Sequence, residues 1–520
     1  MTQLTVPTDS RSTLSPARRW TVLAVLTASL LVITMDMTIL NIALPEMSAE
    51  LHPASDQQLW MVDVYSLVLA GSLVSVAAVA DRWGRRRMLV LGYAVFAAAS
   101  LLVLVADSAE AVIAIRALLG VGGAMIMPTT LSLIRVVFTD ARERATALSI
   151  WAAASGLGAV VGPLVGGLLL EHFSWHAAFL VNVPLMVVGV VAGLLLVPES
   201  RVSGAGPWDA LAAVLSLVGV VALVWALKQF GKEASLAVPP ALAAIVVAAV
   251  ALTWFVRRCL HSDHPLLDLH LFRSRQFTAG IVAALGATLS MVAALLLVAQ
   301  WLQLVEGSSP IETGLQLAPL ALAGGLASLA APPLSRRTGS RAVLAGGLAL
   351  AGGGLLVIGL VGDGLSLTTM IVALCLVGAG MGALAIGSAM IMGGVPTDKA
   401  GSAGALEETS YEFGGTLGVT VLGSISALLY RASLDTAPGL DALRDAEPVL
   451  ADQAGQSLGA AIAIADETGL PELAARAGEA FTQSLQTTGL IGGALMLVIA
   501  VLVFLLTPKG TNVAAAAPHP

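Results

Sequence analysis

The sequence predicts an all-α polytopic membrane protein with about fourteen transmembrane helices and both termini in the cytosol. The first observation is compositional: 57% of the 520 residues are hydrophobic and only 11% are charged, and mean hydropathy is +0.90. A soluble globular chain carries about 25% charged residues. The second is the length of the apolar runs, which match the roughly 20 residues a helix needs to cross a bilayer. The third is the sidedness of the basic residues. With the N-terminus inside, only Lys228, Lys232, Arg431, Arg444 and Arg476 of the 26 Lys and Arg fall outside, and Arg116 falls within a span. Lys and Arg collect on the cytosolic side of membrane proteins, which fixes the orientation.

A polar cytosolic tail (1–19) ends in Arg18-Arg19. Six apolar runs near 20–44, 58–80, 88–106, 110–136, 145–170 and 177–197 then form an N-terminal six-helix bundle (20–197). The first run lacks a convincing cleavage site, so no cleavable signal peptide is expected. Two inserted linker helices occupy 208–258, with runs near 208–228 and 238–258. A C-terminal six-helix bundle (277–507) takes runs near 277–303, 311–334, 341–361, 367–394, 402–430 and 484–507, and a cytosolic tail (508–520) follows. Two echoes justify this 6+2+6 division. Arg82-Trp83-Gly84-Arg85-Arg86 after the second span returns as Arg337-Thr338-Gly339-Ser340-Arg341 after the tenth. Gly120-Val121-Gly122-Gly123-Ala124 in the fourth span returns as Gly378-Ala379-Gly380-Met381-Gly382 in the twelfth. Parallel repeats of this kind build many secondary transporters.

The loop at 431–482, between helices 13 and 14, holds nine acids and three arginines, nearly the whole net charge of −7. An acidic patch of this kind argues against nucleic acid as a partner. Leu440, Leu443, Val449 and Leu450, then Leu458, Leu470, Leu473 and Phe481, suggest an extracellular helical hairpin. It reads either as a solvated connector or as a lid or cation-attracting rim. The two cysteines, Cys259 and Cys375, imply no disulfide framework. His261, His264 and His270 around Asp263 and Asp268 are better explained by cytosolic loop polarity than by a metal. Gly378-Ala379-Gly380 follows no strand, so helix packing is favoured over a dinucleotide site.

The chemistry-bearing residues are the acids inside spans. Glu407, Glu408 and Glu412 lie in a segment otherwise made largely of Gly, Ala, Val, Leu and Thr. At about 1.5 Å per residue, Glu412 sits roughly 16 Å beyond Gly401, close to the membrane midplane. Glu408 and Glu412 share a helix face, with Glu407 about 100° around and shallower, placed to meet material entering from the cytosol. A carboxylate at such depth is costly unless protonated, paired or wetted. Asp36, between Met35 and Met37 in the outer half of span one, has nothing beside it in sequence to neutralise it. It is therefore expected to face a cavity or hold a proton. Asp63, near Trp60 and Tyr65, reads as an interfacial cap with an aromatic belt or as a mouth residue receiving cations. Arg116 needs a carboxylate partner or polar backbone.

Several runs carry a family resemblance across essentially the whole chain. Ala80-Asp81-Arg82-Trp83-Gly84-Arg85-Arg86-Arg87 resembles the signature loop of the major facilitator superfamily, with Ala77 at its usual leading glycine. Gly158-Ala159-Val160-Val161-Gly162-Pro163-Leu164-Val165-Gly166-Gly167 resembles its antiporter motif, and Arg116-Ala117-Leu118-Leu119-Gly120 its span-four motif. Fourteen spans place the likeness in the drug:proton antiporter branch. Thr34–Leu40, Gln58–Gly71 and Glu407–Glu412 bring it close to QacA-type quaternary ammonium exporters. Gly324 and Gly325 stand in the tenth span where a close relative carries an acid, so the likeness does not extend to divalent cations being handled as well as monovalent ones.

The resemblance implies the major facilitator fold, and proton-coupled efflux of lipophilic cations (quaternary ammonium compounds, dyes, biguanides) across the cytoplasmic membrane by alternating access. Asp36, Asp63, Glu407, Glu408 and Glu412 are then the proton- and substrate-binding set, with Arg116 in coupling and Trp60 and Tyr65 as aromatic lining. Asp81, Arg82, Gly84, Arg85 and Arg86 form a cytosolic gate; Gly158, Gly162, Pro163, Gly166 and Gly167 form a hinge between close-packed helices. Pro163 removes a backbone hydrogen bond and the glycines admit a neighbouring helix. Expected partners are cationic small molecules, protons and lipid, around a monomer with no cofactor or metal. The proton gradient is the energy source, as no Gly-rich Lys-Ser/Thr nucleotide loop is present. Alternatives are an exporter of one self-made metabolite or antibiotic, or a lipid flippase of the same fold. An enzyme is disfavoured, since the spans contain no nucleophile motif or clustered His/Asp constellation.

Overall fold

In the computed structural model, residues 14–51, 53, 55–202, 208–233, 238–262, 265–362, 365–434, 444 and 447–511 are described. Most of the N-terminal tail, residues 512–520, Asp263, His264, Leu440 and Leu443 lie outside the described residues. Among the described residues, fourteen helices are long and apolar enough to cross a membrane. The first half comprises α1 (Pro16–Leu51), α2 (Ser55–Trp83), α3 (Arg85–Leu102), α4 (Ala109–Val137), α5 (Ala141–His172) and a sixth span broken into α6 (His176–Leu180) and α7 (Asn182–Leu196). The inserted pair is α8 (Ala210–Glu233) and α9 (Pro239–His261). The second half comprises α10 (Arg275–Leu304), α11 (Pro310–Thr338), α12 (Ser340–Leu360), a broken twelfth span in α13 (Leu367–Met381) and α14 (Leu384–Gly393), then α15 (Ala400–Leu434) and, last, α18 (Pro471–Leu506). Two short helices, α16 (Pro448–Gln456) and α17 (Leu458–Thr468), precede α18.

Local chemistry sets the helix starts. Ser108 caps α4 by accepting from Ala111 N–H at 3.2 Å, and Asp140 caps α5 through Arg142 and Glu143 N–H at 2.9 and 3.0 Å. Ser309 and Glu312 form a reciprocal capping box at the start of α11. Asp209, just outside the membrane segment, caps α8 through Ala212 N–H at 3.0 Å. The Arg258 hydrogen bond to Asp209 holds its carboxyl below the usual carboxylate range.

The hairpin expectation is corrected in part. Leu473 and Phe481 lie on the first turns of α18, which runs unbroken into the last span instead of forming a separate hairpin arm. The helices before it are not merely solvated: Leu458, Ala461, Ile464 and Ala465 are buried in one core with Trp301, Tyr430 and Phe481. Tyr430 Oη donates to the Ala454 carbonyl at 3.2 Å, tying this cap to α15.

The echoed arginine loops adopt the same turn. Gly84 has φ 123° and Gly339 φ 87°, values only glycine takes without strain. The second echo is a packing device: a Cβ on Gly380 would meet Ala351 backbone, and one on Gly120 would lie 2.6 Å from the Tyr65 carbonyl.

The halves close on each other at the arginine-rich end. Phe277 and Ile281 of α10 and Ile391, Met392 and Val395 enter the core of the first half. Arg85 and Arg135 donate to the Thr397 and Val395 carbonyls at 3.2 and 3.1 Å. Toward the other end α5 and α11 meet, with Ile311 3.6 Å from a Cβ on Gly167.

Candidate functional site

Between the halves lies a cavity of about 360 Å³. Its wall is mostly apolar, drawn from both halves, with Met37, Met127, Met291, Met381 and Trp151 among the lining residues. Among the described residues, Glu408 and Glu412 are its only charged lining, and Tyr411 lies between them. Their i, i+4 spacing on α15 turns both carboxylates to one face. Glu408 is 2% exposed, and its Oε1 is buried without a hydrogen-bond partner among the described residues.

Glu407 is not on this wall. It is fully buried, accepting from Ser388 Oγ and from Tyr411 Oη at 3.3 Å. Although it precedes the other two in sequence, its helical angle turns it into the packing against α14 rather than toward arriving material. Tyr411 thus touches the sealed glutamate while itself lining the cavity.

Asp36 does not open onto the cavity either, and the expectation of a lone acid is corrected. It is 1% exposed, pairing with Arg116 Nη1 at 3.0 Å and accepting from Asn182 Nδ2 at 2.6 Å. Arg116 also donates to the Met61 carbonyl at 3.3 Å and lies 4.5 Å from the Tyr65 ring centre. Neutralisation therefore comes from α4 and α7, distant in sequence. Tyr65, expected as cavity lining, instead covers this pair. Trp60, the other expected lining aromatic, is 39% exposed and away from the cavity wall. Trp151 and Tyr411 take that place. Asp63 pairs with Lys228 of the inserted helix α8, both side chains being partly exposed.

At the arginine-rich end, Asp81 pairs with Arg85 at 2.7 Å, and its carboxylate abuts Gly401 at the start of α15. Arg82 donates to the Ala78 carbonyl at 2.8 Å. Arg86 and Arg87 share Glu199 at 3.8 and 3.7 Å. A Cβ on Gly84 would lie 2.6 Å from that same Glu199 carboxyl. The set links α2 and α3 to the second half. In α5, a Cβ on Gly158 or Gly162 would strike Thr34 or Thr38, and one on Gly166 would lie 2.8 Å from Ile39, so α1 and α5 are in backbone contact. Pro163 faces the cavity from the same helix, as do Gly324 and Gly325 of α11.

Sequence reasoning missed Asn182, Lys228, Trp151 and the cavity methionines. Lys228 carried a signal, being one of few basic residues outside. The methionines carried none, because a span apolar on every side does not reveal which face lines a cavity.

The description Major Facilitator Superfamily matches residues 26–419. The chain is a major facilitator. It is similar to the multidrug efflux pump LfrA of Mycolicibacterium smegmatis, 39% identical over 95% of this chain and 97% of that one. It is also similar to the methyl viologen resistance protein SmvA of Salmonella typhimurium, 34% identical over 86% and 90% of the two chains. Among solved structures, the human organic anion transporter MFSD10 superposes with a TM-score of 0.60 at 15% identity, covering 93% of this chain and 100% of that one. At that identity it speaks for the fold alone. This major facilitator is thus a multi-pass membrane protein of a transporter family.

Proposed function

We propose that this major facilitator exports lipophilic cations from the cytosol across the cytoplasmic membrane in exchange for protons. The observation that carries the reading is the pair Glu408 and Glu412, the only charged lining, among the described residues, of a mostly apolar cavity. A proton and an organic cation compete to neutralise such acids, so protonation from outside releases cargo and deprotonation inside restores the site. Four methionines on the wall fit cargo of varied shape, because the thioether chain is flexible and polarisable. The likeness to LfrA, a multidrug efflux pump, and to SmvA, a methyl viologen resistance protein, supports drug export.

Cells loaded with ethidium provide the test. Efflux is expected to stop when a protonophore is added while ATP remains available, and to be lost in Glu408→Gln and Glu412→Gln at equal expression. Efflux that survives the protonophore overturns the coupling; efflux retained in both variants overturns the site. Competition by structurally unrelated monovalent and divalent cations separates a multidrug pump from an exporter of one metabolite.

A further inference from the structure

We propose that the arginine-rich end of the second half holds a binding site for a phosphate-bearing anion, of the kind an anionic lipid presents at the cytosolic leaflet. A cleft of about 470 Å³ opens there between the end of α11, the start of α12 and the end of α18. Arg336, Arg337, Arg341 and Lys509 line it, and no Asp or Glu does among the described residues.

The internal repeat shows why this is more than the usual basic rim. Gly84 and Gly339 sit at matching points of the two echoed loops, both at positive φ. Aligning them sets Asp81 opposite Arg336 and Arg86 opposite Arg341. In the first half the loop supplies its own counter-charge: Asp81 pairs with Arg85 at 2.7 Å, and Glu199 meets Arg86 and Arg87. In the second half a cation stands where the acid would be. Arg337, Arg341 and Lys509 have no carboxylate partner among the described residues. Arg341 lies over the Phe504 ring at 3.7 Å, a contact that leaves its charge unpaired. Its Nε is buried without a hydrogen-bond partner among the described residues.

Position favours a lipid as the source. Phe504 and Leu505 on the last turn of α18 are 44% and 60% exposed, an apolar flank directly beneath the cations. Thr511 closes the other side, where its carbonyl accepts from Ser340 N–H at 3.0 Å. A headgroup can sit in the cleft with its acyl chains along α18. Basic clusters at the cytosolic ends of spans attract anionic headgroups in this way.

Native mass spectrometry of the full chain, titrated with phosphatidylglycerol or phosphatidylcholine, tests the site. Wild type is expected to retain phosphatidylglycerol selectively, and Arg337→Gln/Arg341→Gln to bind it at least about thirtyfold more weakly. Arg86→Gln/Arg87→Gln in the first half is expected to keep wild-type affinity, as is the sign of a site confined to the second loop. Lys509→Gln, near the chain end, supplies a weakened variant whose folding is not at stake. Inorganic phosphate that displaces the lipid at equal concentration supports the anion site and assigns its source to solution. Equal retention of both lipids by wild type, with no phosphate binding, overturns the proposal. Unchanged affinity in both second-half variants does so as well.

Discussion

Replacing Asp36 with Asn removes one charge from a pair that is almost fully closed to solvent. Asp36 is 1% exposed and Arg116 2%, so among the described residues the orphaned guanidinium keeps the Met61 carbonyl at 3.3 Å and the Tyr65 ring at 4.5 Å, and no second carboxylate. Breaking a buried pair from one side costs about 3–5 kcal/mol, because the remaining charge keeps its desolvation penalty and loses its partner. That is a large share of the roughly 5–15 kcal/mol that holds a typical domain folded. Arg116→Gln is expected to cost a similar amount. The double variant Asp36→Asn/Arg116→Gln buries no net charge and is expected to recover about 2 kcal/mol or more relative to the sum of the singles. Denaturant unfolding of purified protein in detergent measures all three. The folded fraction of Asp36→Asn is also expected to bind an ethidium-like cation as wild type does, since Asp36 is off the cavity wall. Single-variant costs below about 1 kcal/mol, the value of an exposed pair, refute the buried-pair reasoning. Additive singles refute it too. Binding lost at undiminished stability would return Asp36 to the cargo site.

Lys228→Met removes a pair whose side chains are 27% and 31% exposed, so its stability cost is expected below about 1 kcal/mol, well short of the Asp36 variant in the same unfolding assay. Gly162→Ala places a Cβ against Thr38 and 2.8 Å from the Met35 carbonyl, and overpacking is expected to cost about 1–3 kcal/mol. Gly167→Ala, whose Cβ would lie 3.6 Å from Ile311, is expected to be tolerated in parallel melts. Asp81→Asn loosens the latch at Gly401, so spin labels on Arg142→Cys and Asp398→Cys are expected to show a larger population at long distance than in the Asp81 background.

What was legible followed from one-dimensional rules. Fourteen spans and the two echoes need only local hydropathy and glycine position, and each of these is set by contact with lipid or with the next helix. That the three glutamates lie within one long helix, α15, was legible for the same reason. Direction around the helix was not. Glu407 and Glu408 are adjacent in sequence, yet one is sealed by Ser388 and the other lines the cavity. That difference depends on which helix packs against each face, and α14 is placed by tertiary contacts. Asp36 shows the same limit from the other side: its neutralising partners, Arg116 and Asn182, lie 80 and 146 residues away. A buried acid in a span poses a physical demand that the sequence makes plain. Which group meets that demand is a property of the packed bundle, and it decides whether the acid serves as cargo site or as structure. On that criterion Glu408 and Glu412, whose cavity wall carries no basic side chain among the described residues, differ from Asp36, which Arg116 meets inside the bundle.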